Sequence, residues 1–213
     1  MLGSEHPLTL GAADQLAKAH VELGRLEQAE ALFLRVLAVH ERNLGPEHID
    51  TAFALTALGE VLAKKGDHAG AEPLIRRALA MQQRTLPADH PDTGLSMWHL
   101  AEVLRNLQQL SEAEAHARDA LRIWEAAFGP EHEWTAWGLM CLAEVRFARA
   151  DAAEAEALAA RAATALERVY GPAHPVVATA LGLRTRAALL NVERAERVYG
   201  VDPEASLGAS GKT

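Results

Sequence analysis

The feature that most constrains this chain is a repeat of constant length. Gly45-Pro46-Glu47-His48 recurs as Pro87-Ala88-Asp89-His90, Gly129-Pro130-Glu131-His132 and Gly171-Pro172-Ala173-His174, with Gly3-Ser4-Glu5-His6 ahead of them. The first residues stand at 3, 45, 87, 129 and 171, so every step is 42 residues, without insertion or deletion. Such regularity is kept when each unit stacks on the next in the same geometry.

Each unit reads as two helices. The first begins just past the His, where Pro7, Pro91 and Pro175 suit the first helical position and Asp50 or Asp92 favours the first turn. It should stop near Gly24 or Gly66, the latter followed by Asp67 as an N-cap. Gln108 and Ala150 take that place in units three and four, with Ser111 or Asp151 able to cap nearby. The second helix runs to about Leu44, Leu86, Phe128 and Tyr170, and Pro73 lies close enough to a helix start to be tolerated. Leu16, Leu58, Leu100 and Leu142 share one position and are followed by Ala17, Gly59, Ala101 and Ala143. Large beside small lets antiparallel helices approach closely, and the Leu row is expected to point at the second helix.

Composition agrees. Alanine supplies 44 of the 213 residues while aromatics are 5%, a balance that favours helices over sheets. A net charge of −8 argues against nucleic acid or an anionic membrane as partner. No run approaches the ~18 apolar residues of a membrane span. The start lacks the basic and apolar regions of a signal peptide, so a cytoplasmic location is expected. One cysteine, Cys141, allows neither an internal disulfide nor a cysteine zinc site.

The loop Gly45-Pro46-Glu47-His48, Leu58-Gly59 in a first helix and Ala71-Glu72-Pro73-Leu74 with Arg77-Ala78-Leu79 in a second resemble tetratricopeptide repeats. The variety is the 42-residue one of kinesin light chains and many bacterial multidomain proteins. The resemblance implies an all-α, right-handed solenoid of antiparallel helix pairs whose first helices line a concave groove. Such a groove holds a peptide, a helix or another domain. Four full repeats are expected, at 3–44, 45–86, 87–128 and 129–170. Arg184 and Thr185 then replace the Leu-small pair and Val192 stands where a turn would be, so one continuous helix should close the stack within 171–199. Its Arg184, Arg186, Arg194 and Arg197 would make that cap polar. The domain so defined is 1–199, with a flexible tail at 200–213. Nothing precedes the first unit, which leaves either a bare stack or one piece of a larger protein.

Helical spacing of three and four then gives the stripe opposite the Leu row. Unit two supplies Phe53, Thr56, Glu60 and Lys64. Unit three supplies Leu95, Trp98, Glu102, Arg105 and Asn106; unit four supplies Trp137, Met140, Glu144 and Phe147. Unit one offers the more polar Gly11, Asp14, Lys18 and Glu22. The resemblance makes these the partner-binding positions. The alternative is that Trp98 and Trp137 pack inside the stack. Glu60, Glu102 and Glu144 form an acidic row, which favours an apolar partner segment carrying Lys or Arg.

No catalytic, metal or cofactor site is read. His6, His48, His90, His132 and His174 recur once per unit, about 10 Å apart in a stack of helices, too far to share a metal ion, and a loop or capping role is expected. His99 and Glu102 form H-x-x-E, but Val103 stands where an inverzincin has its second His. The terminal Gly211-Lys212-Thr213 has Ser206 where a phosphate-binding loop needs Gly, and no helix can follow it. The leading expectation is therefore a non-catalytic module that binds a protein or peptide. The alternatives are a self-associating scaffold, or a docking or sensing arm of a larger bacterial multidomain enzyme.

Overall fold

The computed structural model describes residues 6–199. The first three residues of the first repeat, the tail at 200–213 and its Gly-Lys-Thr end lie outside the described residues. Nine α-helices make up the described chain: α1 (Pro7–Glu22), α2 (Leu26–Asn43), α3 (Ile49–Lys64), α4 (His68–Thr85), α5 (Pro91–Asn106), α6 (Leu110–Phe128), α7 (Glu133–Ala148), α8 (Ala152–Tyr170) and α9 (Pro175–Tyr199). The chain divides into two compact units, one ending at Ala127 and one starting at Phe128.

The recurring histidine is the start signal of every first helix. The imidazole Nδ1 of His6, His48, His90 and His132 accepts the backbone N–H of Leu8, Asp50, Asp92 and Trp134, each at 3.2 Å. His174 does the same for Val176 at 3.3 Å. One orphan donor of each helix terminus is thereby satisfied, the task usually given to Ser, Asp or Asn. In the second unit the preceding aromatic holds the imidazole in place, Phe128 stacking on His132 at 4.5 Å and Tyr170 on His174 at 4.6 Å.

Behind the cap, the Thr51 hydroxyl donates to the Gly45 carbonyl at 2.9 Å and Thr135 to Gly129 at 2.7 Å. Gly45 and Gly129 take φ of 99° and 87°. Pro87 cannot reach that region because its ring fixes φ near −65°. The hydroxyl of buried Thr93 is left without a hydrogen-bond partner.

The turns between paired helices follow the same rule of position before residue type. Gly24 and Gly66 have φ of 69° and 86°, and Gln108 and Ala150 adopt 62° and 60° in the aligned places. A side chain in that region costs about 1–2 kcal/mol. Asp67 caps α4 by accepting the Gly70 N–H at 2.9 Å. Ser111 instead lies within α6. Asp151 occupies the N-cap of α8 without a capping bond, its carboxylate taking the Arg146 guanidinium at 3.3 Å.

The Leu row faces further than its own second helix. Leu58 packs in a cluster with Ala17, Ala29 and Phe33, which belong to the preceding helix pair, and with Val61 of its own. Leu58 is 4% exposed, whereas Leu16 is 52% exposed because no described residue covers it. Close packing also explains the small residue that follows. A Cβ on Gly59 would stand 2.4 Å from Ile75 Cγ1, so the bulk of Ile75 is admitted only by the glycine. At the aligned places of the third pair, Ala101 and Ala117 share the same space more evenly, both fully buried.

In the second unit, α9 is a single helix with Val177, Ala180, Leu183 and Ala187 turned inward. Arg184, Arg186, Arg194 and Arg197 are exposed as expected of a cap. Its outer side is less polar than expected, since Leu181, Leu189, Val192 and Val198 are exposed too.

Candidate binding cavity

The three first helices of the first unit, α1, α3 and α5, together with the C-terminal halves of α2 and α4, surround a cavity of about 690 Å³. That volume is in the range that holds a ligand or the side chains of a bound segment. One part of it is apolar. Leu10, Val36, Val39 and Ala54 form a buried cluster at the α1–α3 end, with Phe53 beside it, 37% exposed. The part between α3 and α5 is polar. Thr56 and Ser96 are hydrogen-bonded through their hydroxyls at 2.9 Å, and the Thr56 hydroxyl also donates to the Ala52 carbonyl at 3.2 Å. Gln82 and His99 line this part as well.

The lining is acidic. It carries Asp14, Asp50, Glu60 and Asp92 against one lysine, Lys18, which is held by Asp14 at 2.7 Å, and two histidines, His40 and His99. His99 does not offset this charge. Its ring is buried between the Glu60 carboxylate at 3.8 Å and that of Glu102 at 3.9 Å, both beyond hydrogen-bond distance. Desolvation outweighs the attraction of Glu60 and lowers the imidazole to a pKa of about 4, so it is neutral near pH 7.

Of the stripe read from the sequence, Phe53, Thr56, Glu60 and Leu95 line the cavity. Thr56 is buried, with its hydroxyl committed to neighbours, so it is wall rather than open contact. Lys64 is exposed, 3.6 Å from Glu60 and one turn beyond the lining. Trp98, Glu102, Arg105 and Asn106 lie on α5 outside the cavity. The Trp98 ring is half-buried, 6.3 Å from Trp124 and 4.6 Å from His99, and Asn106 donates its side-chain amide to the Glu102 carbonyl.

Trp137, Met140, Glu144 and Phe147 all stand on α7, in the second unit. Met140 is buried, a core position rather than an open one. Phe147 is half-buried beneath the Arg186 guanidinium, 4.6 Å from its ring centre. Cys141 is a buried free thiol.

Sequence reasoning missed the floor. Val36, Val39, His40 and Gln82 come from second helices, whose C-terminal turns reach under the gap between neighbouring first helices. The available signal was the aligned position 40, 82, 124 and 166, which holds His, Gln, Trp and Leu. A position that varies so widely within an otherwise conservative repeat is one that the stacking itself does not dictate. In α6, Trp124 fills the place and donates its indole N–H to the Pro91 carbonyl at 3.1 Å.

Among the described residues no helix is long and apolar enough to cross a membrane. Nor do three His, Cys, Asp or Glu side chains gather as a metal site would need.

Comparison with known proteins agrees with this architecture. Tetratricopeptide repeat family models match residues 8–84, 92–140 and 135–176. Among solved structures, TPR-like repeats of kinesin-light-chain type from Podosopora anserina superpose with a TM-score of 0.73 at 24% identity, covering 90% of this chain and 91% of that one. BtubC (BKLC) from P. vanneervenii gives 0.66 at 19% identity, over 97% and 86% of the two chains. A Signal Transduction ATPase with Numerous Domains from Pyrococcus horikoshii, which has a tetratricopeptide repeat sensor, gives 0.64 at 17% identity. It covers 92% of this chain but 29% of that one. No curated protein matches the sequence. The chain belongs to the tetratricopeptide repeat family, with the all-α solenoid fold of kinesin-light-chain-type repeats.

Proposed function

We propose that the first unit binds a segment of a partner protein in the cavity between α1, α3 and α5, and that the segment is apolar and carries Lys or Arg. Tetratricopeptide repeats are interaction modules, and the activity proposed here is binding without catalysis. The observation that carries the reading is the pairing of an apolar floor, Leu10, Val36, Val39 and Ala54, with four lining carboxylates against one lysine. Burial of apolar side chains would supply the affinity, while the carboxylates favour cationic partners and speed their approach.

The test is a pull-down from the source cell's lysate with wild type and with Phe53→Ala/Leu95→Ala. Both side chains line the cavity but neither is buried, so the helices should remain folded, as a thermal melt would verify. Partners held by wild type and lost by the variant are the expected result. The same proteins in both lanes would overturn it. The stripe positions that are not buried, Trp98, Glu102, Arg105 and Asn106 on α5 and, in the second unit, Trp137, Glu144 and Phe147 on α7, are each proposed as secondary contacts. Trp98→Ala/Trp137→Ala should therefore weaken binding less than Phe53→Ala/Leu95→Ala.

A further inference from the structure

Gln82 is 1% exposed, and its Oε1 has no hydrogen-bond partner although the residue lines the cavity. A buried acceptor left unpaired is costly, so a native structure that keeps one has a use for it or fills it on binding. The two groups of the opposite wall, Thr56 and Ser96, are already hydrogen-bonded to each other. Gln82 Nε2 has no hydrogen-bond partner among the described residues either, so rotation of the amide can present its oxygen to the cavity at the cost of no existing bond. The same lining carries the carboxylates of Asp92 and of Glu60, the latter 3.6 Å from Lys64, and a neutral rather than charged His99.

We propose that this end of the cavity recognises one cationic donor group, the guanidinium or ammonium of an Arg or Lys on the bound segment, with Gln82 Oε1 accepting its N–H and the acidic lining balancing its charge. The inference rests on the cavity being the binding site. It goes further by giving the ligand a register. The apolar pocket lies between α1 and α3 and the acceptor between α3 and α5, one helix spacing away, about 8–10 Å. Side chains on one face are two apart on an extended segment, about 7 Å with the long basic side chain making up the rest, or seven apart on a helical one, about 10 Å. The occupant is therefore a partner segment whose apolar side chain and basic side chain are separated by two positions if extended, or by seven if helical. The aligned Trp124 of the next pair offers no such acceptor, because its indole is a donor and already bonded to Pro91.

The experiment is selection of a displayed library of random twelve-residue peptides on the full chain. Wild type should enrich peptides with an apolar residue and an Arg or Lys at one of those two spacings. The best peptide is then titrated by fluorescence anisotropy against wild type, Gln82→Leu and Phe53→Ala/Leu95→Ala, and compared with the same peptide carrying Gln for its basic residue. Gln82→Leu removes an unsatisfied polar atom, so it should fold at least as well as wild type. It should bind about tenfold more weakly, and the peptide's Arg→Gln change should cost wild type a similar factor but Gln82→Leu little. Equal affinity of wild type and Gln82→Leu, or equal losses from the peptide change in both proteins, would overturn the inference. If apolar peptides without a basic residue are selected and lose binding in Phe53→Ala/Leu95→Ala, the cavity stands as a site and the cationic subsite falls. If nothing is enriched, or binding survives Phe53→Ala/Leu95→Ala, both fall.

Discussion

The second and third helix pairs, α3/α4 and α5/α6, have the same repeat length and the same His cap, yet they fill their shared positions with opposite choices. Where α4 holds Gln82, a cavity-lining residue with an unpaired amide oxygen, α6 holds Trp124, buried and hydrogen-bonded to Pro91. Room for that indole comes from Gly94, where a Cβ would stand 2.9 Å from Trp124 Nε1; the aligned residue of the second pair is Ala52. Gly59 faces Ile75 in one pair, and Ala101 takes the aligned place opposite Ala117 in the other. Ala57 stands where the third pair has buried His99. The difference teaches that the repeat fixes backbone positions but not the side-chain volume placed on them. Which partner supplies the volume, and whether a position is filled at all, is left to the individual pair. A binding cavity arises where a pair leaves its position unfilled.

The largest test of this contrast is Trp124→Ala, expected to destabilise the chain by about 3–5 kcal/mol, read from chemical denaturation. Gln82→Leu at the aligned position removes an unpaired buried acceptor and should leave stability unchanged or raise it. Comparable losses would mean that the two places are packed alike.

Next is the pH response of His99. Its folded-state value of about 4 lies below the ordinary 6.5, so between those values the unfolded chain takes up a proton that the folded one refuses. Stability is therefore whole above pH 6.5 and falls by up to about 3 kcal/mol as pH drops to 4. In His99→Gln this component should vanish from the pH profile, leaving that of the carboxylates. An unchanged slope would remove the claim.

Gly59→Ala should cost about 1–3 kcal/mol, since the new methyl meets Ile75. In an Ile75→Ala background, which remakes the second pair in the manner of the third, the same change should cost much less, as a double-mutant cycle would register. Smallest is Gln108→Gly, which gives the third pair the turn residue of the second. Relief of its positive φ should stabilise the chain by about 1 kcal/mol, visible as a raised melting temperature.

Much of this fold can be read in the sequence because its signals repeat. Five aligned histidines can only have a local role, and capping is what the structure assigns them. Helical spacing also placed Phe53, Glu60 and Leu95 in one lining, because residues on one helix face need no tertiary knowledge to be grouped. What spacing could not reveal is how far each helix sinks into its neighbours. Thr56 and Met140 lie on the stripe yet are buried, and Leu16 lies on the core row yet is exposed. Depth depends on the adjoining pair. The floor residues Val36, Val39 and Gln82 were missed for the same reason, since second helices enter the cavity only through the gap between first helices.

The central claim, that a partner segment occupies the cavity of the first unit, is tested most directly by placing a spin label on a selected peptide. Methyl signals of the full chain would be followed as the peptide is added. The account predicts loss of the Leu10 and Leu95 methyl signals, which line the cavity. Undiminished Leu10 and Leu95 signals with saturated peptide would contradict it.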